Sequence, residues 1–336
     1  MTESNKLIDT FGRIHKDLRV SLTDRCSLRC TYCMPFDFNS WIPSPSLLKT
    51  DELIFLIEVA TTLGIKEVRL TGGEPLLRPD IDEIIYRIAA LPNTPEISLT
   101  TNGVALAKMA KKLADAGLQR VNISLDTLDW ERFKRLTFRD RYREVIQGIY
   151  AARDVGLYPI KINTVLMPGI NDDEALPLLK WALKENLHLR FIEQMPLEAG
   201  KIWSRDKLIT ADEIFKTLEK EFELTAVDNR GSSPAEEFLI NGGPSTVGII
   251  ASVSRPFCAA CDRLRLTADG QLRSCLFSNS ETDLRAILRT NNLSPSQMRE
   301  EIELAFLETV KSKLPGHGIN DTSFVQPIRT MSAIGG

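Results

Sequence analysis

A chain of 336 residues, 43% hydrophobic and 26% charged with a net charge of −3, is long enough to bury one large core or two modest ones. The slight acidity excludes a dedicated nucleic-acid binder, which needs a basic excess. No apolar run approaches the roughly 20 residues of a membrane span, and the opening MTESNKLIDTFGRIHKDLRV lacks the apolar core of a secretory signal. A cytoplasmic protein with no membrane partner is the expectation.

The first extended run, LRVSLT (18–23), leads straight into SLTDRCSLRCTYCMP, where Cys26, Cys30 and Cys33 crowd eight positions. Thr50 precedes DELIFLIEVATTLG, a helix pattern with Glu52 in its first turn and Gly64 as its stop. EVRLTGG (67–73), EISLTTNG (96–103), RVNISLD (120–126), PIKINTVL (159–166) and LHLRFIE (187–193) follow as further extended runs. Between them DIDEIIYRIAAL, LAKMAKKLADAG, YREVIQGIYAARDVG and EALPLLKWALKEN carry helical periodicity. Six alternating units predict an α/β fold with a parallel sheet, and six is too few to close a barrel of eight. We therefore expect a partial (β/α)6 TIM-like barrel over residues 1–209. Past residue 210 the pattern changes to a helix (TADEIFKTLEKEF) and a hairpin signalled by Asp269-Gly270 in RLRLTADGQLRSCLF. Two more helical stretches and the ending TMSAIGG complete a C-terminal α+β lobe, 210–336, placed to cover the barrel's open side.

All six cysteines fall in two groups, Cys26, Cys30 and Cys33 near the start and Cys258, Cys261 and Cys275 near the end. Clustered cysteines in a long chain without a secretory signal argue for metal rather than disulfides. Three thiolates at the C-terminal end of the first strand, where such barrels build their chemistry, would hold three corners of a [4Fe–4S] cube and leave one iron open. A zinc site would need a fourth ligand, and the three histidines, His15, His188 and His317, are remote in sequence from the first triad. The second triad admits the same two readings, a second cube or a structural zinc. Arg19, Arg69, Lys161 and Arg190 sit inside strand runs where a parallel sheet is normally apolar; buried cations are costly unless paired, so as a set they point to a polyanionic ligand. Arg263 and Arg265 alternate in RLRL and would share a face.

The spacing C-x3-C-x2-C with Tyr32 before its last cysteine, followed one βα unit later by TGGEP (71–75), resembles the radical S-adenosylmethionine enzymes. CAACDRLRLTADGQLRSCLF and the closing IGG resemble, within them, the GTP 3′,8-cyclases of molybdenum-cofactor biosynthesis, over nearly the whole chain. The resemblance implies two [4Fe–4S] clusters and S-adenosylmethionine as cofactors, the latter held by Tyr32, Gly73, Ser124 and Met195. It implies GTP at Arg19, Arg69, Thr100, Lys161, Arg190, Arg263, Leu264 and Arg265, with its guanine on the second open iron. It assigns catalytic roles to Arg265, Gly335 and Gly336, the glycine tail being slim enough to enter the cavity. Its reaction starts with reductive cleavage of S-adenosylmethionine; the deoxyadenosyl radical takes hydrogen from ribose C3′ and the sugar carbon closes onto C8. Implied partners are an electron donor and the cyclic pyranopterin monophosphate synthase that receives the product, and a homodimer is compatible. The stretch MPFDFNSWIPSP (34–45) departs from the acidic-glycine turn of the family. Two rivals stay open: a radical enzyme acting on a peptide, whose relatives usually carry more C-terminal cysteines, and a zinc or iron–sulfur module without catalysis.

Overall fold

The computed structural model describes residues 6–34, 38–197, 203–322 and 324–335. Six parallel strands run in sequence order, β1 (Asp17–Ser21), β2 (Glu67–Thr71), β3 (Glu96–Thr101), β4 (Arg120–Ser124), β5 (Ile160–Val165) and β6 (His188–Ile192). Helices α1 (Thr50–Thr62), α2 (Ile81–Ala89), α3 (Leu106–Asp115), α4 (Trp130–Thr137), α5 (Tyr142–Asp154) and α6 (Ala175–Lys184) connect them. The six βα units are those read from the sequence, except that the fourth crossover holds two helices. α4 went unread, although Asp129 caps it by accepting from the Arg132 amide at 2.8 Å. The cap of α1 is Lys49 rather than Thr50, which lies inside the helix, while Glu52 reaches back to the Lys49 amide at 2.7 Å.

The residues after 210 do not make a sheet of their own. α7 (Ala211–Leu218) leads to β7 (Leu224–Ala226), β8 (Glu236–Ile240) and β9 (Thr246–Ile250), and β9 pairs parallel with β6. β10 (Arg263–Leu266) crosses to the other edge and pairs parallel with β1, followed by antiparallel β11 (Gln271–Arg273) and β12 (Thr282–Asp283). The result is one mixed twelve-stranded sheet, ordered β12-β11-β10-β1-β2-β3-β4-β5-β6-β9-β8-β7. The Asp269-Gly270 turn is where the sequence placed it, with Gly270 at φ +82. α8 (Leu284–Leu288), the long α9 (Pro295–Lys311) and the short α10 (Met331–Ile334) finish the fold.

Strand alternation explains what this sheet encloses. One row of side chains, among them Leu18, Val20, Val68, Leu70, Ile162 and Phe191, is fully buried against the helices, each worth about 1.5–3 kcal/mol of transfer free energy. The opposite row is polar: Asp17, Arg19 and Ser21 on β1 stand beside Glu67, Arg69 and Thr71 on β2, and Arg19 also faces Arg265 on β10. A sheet covered by helices on both faces would be apolar on both. Here the polar row, contributed by strands from β10 round to β9, lines a single cavity, as a partial barrel requires. A second small core of Leu197, Leu208, Val253, Phe277 and Ile319 closes one part of it, with Met195, Cys275 and Met331 packed on its edge. Among the described residues no helix is long and apolar enough to cross a membrane.

Candidate active site

The loop after β1 carries Cys26, Cys30 and Cys33 and is held from two sides. On one, α4 ends against it: the Arg29 and Thr31 amides donate to the Thr137 and Leu136 carbonyls at 2.9 and 3.0 Å. On the other stands the glycine pair of TGGEP. The Gly73 amide donates to the Thr23 carbonyl and the Glu74 amide to the Arg25 carbonyl, each at 2.7 Å. A Cβ on Gly72 or Gly73 would run into those backbone oxygens. The glycines thus serve close packing on the cysteine loop as well as any ligand. Glu74 is the keystone: its carboxylate accepts from the Leu76 and Asn102 amides and the Thr101 hydroxyl at 2.7–3.0 Å. Burial pushes its pKa up to about 7 despite those bonds. Asn102 in turn reaches Ser27 Oγ at 3.0 Å and Cys26 Sγ at 3.6 Å. Tyr32 donates to Asp126 at 2.8 Å, and burial lifts that carboxyl to about 6. Part of the loop that departs from the family turn, residues 35–37, lies outside the described residues; beyond it Trp41 receives the Arg29 guanidinium on its ring at 5.1 Å.

Between the loops lies a belt of cations. Arg19 and Arg263 share Asp17, at 3.9 and 3.6 Å, and neither Nε has a hydrogen-bond partner. Arg69 Nε donates to the neutral Ser98 hydroxyl at 3.3 Å, and Arg190 pairs with Glu237 at 3.1 Å, leaving its Nε without a partner. Asn122 and Asn163, on the same face of β4 and β5, each have an unpartnered buried Oδ1. Buried polar atoms are normally satisfied; the free guanidinium N–H groups call for an anionic acceptor and the two amide oxygens for a donor, so this surface suits a ligand that offers both. Burial lowers Arg265 to about 10. Lys161 falls to about 7, through burial first and then repulsion from Arg190, Arg120 and Arg69.

Cys258 and Cys261 precede β10, and Cys275 follows β11. Because β10 and β1 run parallel with Arg263 opposite Asp17, the first triad and the Cys258–Cys261 pair flank opposite ends of this strand pair, separated by about 13 Å of strand at roughly 3.3 Å per residue. Burial opposes ionisation of Cys261, yet Lys313 and Arg263 outweigh it and its pKa falls; burial raises Cys258, and raises Cys26 to about 11 and Cys33 to about 12. All six thiols are free.

The histidines do not complete a zinc site. His15 pairs with Asp9 at 3.1 Å and His188 with Glu237 at 2.7 Å. His317 bonds the Ser252 carbonyl through Nε2 at 3.1 Å and accepts the Ile319 amide on Nδ1 at 3.2 Å. Among the described residues no three His, Cys, Asp or Glu gather as ligands of a single ion. A cube, which spreads its thiolates over separate irons, does not need that convergence.

The tail threads back into this region. Ser21 Oγ donates to the Ile334 carbonyl at 2.8 Å, Arg265 donates to the Gly335 carbonyl, and the Ser332 amide donates to Cys33 Sγ. Gly335 sits at φ +89, and a Cβ there would run into Ser21 Oγ. Gly336 lies outside the described residues.

One cavity of about 300 Å³ thus gathers both triads with Arg19, Arg69, Thr100, Arg190, Arg263 and Arg265, and also Tyr32, Gly73, Ser124 and Met195. Lys161 shares their face of the sheet but is not in the cavity wall, and the Leu264 side chain points the other way, into the core. Leu264 can therefore reach a nucleotide only through its backbone. Residues missed from the sequence are Asn163, Asn102 and Asp126, together with Phe257, whose ring lies on the cavity wall 5.1 Å from the Arg263 guanidinium, and Lys313. Asn163 was findable, two positions after Lys161 and so on the same face; Lys313, at the far end of a helix, gave no signal.

Residues 20–182 match the family model of the radical SAM superfamily, and residues 187–318 match that of Molybdenum Cofactor Synthesis C. Streptococcus suis SuiB, in its crystal structure with S-adenosylmethionine, shares the fold at a TM-score of 0.58 and 14% identity, over 96% of this chain and 76% of that one. The GTP 3′,8-cyclase of Mycolicibacterium smegmatis is 53% identical over 98% of this chain and 92% of its own length. That of Streptomyces coelicolor is 57% identical over 98% of this chain and 96% of its own. With identity of that order sustained along almost the entire length of both proteins, the chain belongs to the GTP 3′,8-cyclase family.

Proposed function

We propose that this protein converts GTP and S-adenosylmethionine to (8S)-3′,8-cyclo-7,8-dihydroguanosine 5′-triphosphate, the first step of molybdenum-cofactor biosynthesis. The observation that carries the reading is the belt of incompletely satisfied guanidinium groups set between two cysteine triads in one cavity. Cys26, Cys30 and Cys33 would hold one [4Fe–4S] cluster and Cys258, Cys261 and Cys275 another; free thiols on a cavity wall, with every histidine engaged elsewhere, fit that donor set. When bound, the first cluster supplies the electron that cleaves S-adenosylmethionine. Tyr32, Gly73, Ser124 and Met195 position that cofactor. Arg19, Arg69, Arg190 and Lys161 take the triphosphate, where charge-assisted bonds would complete guanidinium groups left partly satisfied by Asp17, Ser98 and Glu237. Arg263, Arg265, Thr100 and the Leu264 backbone orient the nucleoside. Gly335 lies against Ser21 and Arg265, and with Gly336 it would confine the substrate and keep water out. An electron donor and a pyranopterin-forming synthase would be the partners.

A peptide substrate would leave the arginine belt without purpose, which favours the nucleotide over that rival. Anaerobic incubation with GTP, S-adenosylmethionine and dithionite, followed by mass spectrometry, tests the reading. The expected result is a cyclised isomer of GTP formed by protein carrying about eight irons. Cleavage of S-adenosylmethionine with GTP recovered unchanged would overturn it.

A further inference from the structure

The sulfurs of the two triads keep different company. In the first, Cys26 Sγ accepts from the Leu28 amide at 3.4 Å and the Asn102 amide group at 3.6 Å, both neutral donors. Charges of both signs stand near this triad, the Glu74 and Asp126 carboxyls beside Cys26 and Cys30 and the Arg29 guanidinium, but Arg29 donates to the Cys26 carbonyl at 2.7 Å rather than to a sulfur. In the second, Cys261 Sγ receives two cations: Arg263 Nη1 at 3.6 Å and Lys313 Nζ at 3.5 Å. Lys313 stands two residues past the end of α9 and is only 4% exposed. Its other bond, 2.8 Å to the Arg263 carbonyl, fixes the ammonium at the start of β10. The turn that delivers it is clamped from the N-terminal segment, since Arg13 donates to the Leu314 and Pro315 carbonyls and to the Cys258 carbonyl at 2.8–3.2 Å. Among the described residues no carboxylate pairs with Lys313, so this buried charge is compensated there by sulfur and a carbonyl dipole, an expensive arrangement unless something anionic completes it.

We propose that Lys313 is a positioning residue for the cluster held by Cys258, Cys261 and Cys275: its ammonium binds Cys261 Sγ and makes that centre easier to reduce than the one held by Cys26, Cys30 and Cys33. A reduced cube carries one more negative charge than an oxidised one, so a fixed cation at its sulfur favours the reduced form, and hydrogen bonds to cluster sulfurs act in the same direction. The inference rests on the two-cluster reading above. A lysine that merely braced the β10 loop through the Arg263 carbonyl would leave the potential untouched.

The test is a redox titration followed by electron paramagnetic resonance on the iron-loaded full chain, with the second signal assigned in a background where Cys26, Cys30 and Cys33 are alanine. In the wild type the second centre should have the higher midpoint. Lys313→Met should lower that midpoint and leave the first centre where it was, whereas Lys313→Arg, which keeps the charge, should hold it near the wild-type value. An unshifted second midpoint in Lys313→Met with its iron retained overturns the inference. A wild type with only about four irons overturns the two-cluster reading itself, before any variant is made. Should Lys313→Met lose its second cluster, wild-type protein labelled with 15N-lysine decides: a nitrogen coupling to the reduced second cluster, lost in Lys313→Arg, supports the contact, and its absence in the wild type overturns it.

Discussion

The two cysteine triads are built by different means. The three cysteines of the first lie in one loop of eight positions, which neighbouring segments brace: the end of α4, the Gly72–Gly73 approach, and Glu74 tying Asn102 to the loop. The second is assembled from distant parts, with Cys258 and Cys261 ahead of β10, Cys275 beyond β11, Arg13 from the N-terminal segment and Lys313 from the end of α9. A centre made within one loop can be specified by spacing alone and can operate as a unit. One gathered from several segments depends on the sheet that brings them together, and it places its chemistry relative to the cations between. Under the proposed function this difference corresponds to a division of labour: activation of S-adenosylmethionine at the first, retention and orientation of GTP at the second.

The sharpest way to break that division is to remove each triad in turn. Alanine at Cys26, Cys30 or Cys33 should reduce 5′-deoxyadenosine formation to background, because the cube loses a corner. Alanine at Cys258, Cys261 and Cys275 together should leave some 5′-deoxyadenosine, uncoupled from product, and weaken GTP binding. Chromatography of both products checks this, and loss of cleavage in the second variant equal to that in the first would erase the distinction.

Gly335→Ala comes next. At φ +89, and with Ser21 Oγ in the way, the added methyl should push the tail off Arg265 and suppress cyclisation while 5′-deoxyadenosine continues. Cyclisation at the wild-type rate would make the tail contact incidental. Smaller still are the cations of the belt. Arg19→Ala, Lys161→Ala and Arg265→Ala should each weaken GTP binding by about 1.5–3 kcal/mol, the range of a charged hydrogen bond. Calorimetry with guanosine in place of GTP should show weak binding that Lys161→Ala barely alters.

The mildest effect is on pH. Lys161 has a pKa of about 7 in the free protein because burial and neighbouring cations disfavour its ammonium. A bound triphosphate favours that ammonium, so GTP binding takes up a proton above this pKa. Affinity should be fully developed below pH 7 as far as Lys161 is concerned and fall as pH rises, by at most about tenfold per unit. Measured above about pH 7.5, the slope should flatten in Lys161→Arg, whose guanidinium stays protonated; equal slopes in the two proteins would place Lys161 away from the phosphates.

Much of this was legible because it is local. The six strands and the five crossovers between them follow from helix periodicity and strand runs, and the structure moves their ends by only a residue or two, as at LRVSLT against Asp17–Ser21. The inward cations were visible as charges in strands, but the reason differs from the expectation. Arg19 and Arg69 do not interrupt a sheet apolar on both faces; they belong to a largely polar inward face that also includes Asn122 and Asn163, with Val165, Ile192 and Ile250 as apolar members. The C-terminal strands could not be placed, since nothing in RLRL or TVGII tells which edge of the sheet each will join. Lys313 could not be read at all: its meaning comes from a contact with Cys261 across 52 positions. α4 hid behind a short, mostly polar sequence, WERFKRLT, whose signals were the Asp129 cap and the spacing of Trp130, Phe133 and Leu136.

The proposed function turns on one placement: S-adenosylmethionine and ribose C3′ of GTP would meet in this cavity between the two triads. It is tested most directly with GTP deuterated at C3′, under anaerobic reducing conditions, by mass spectrometry of both products. The account predicts one deuterium in 5′-deoxyadenosine, matched one for one by cyclised nucleotide. Deuterium-free 5′-deoxyadenosine formed alongside cyclised nucleotide would contradict it.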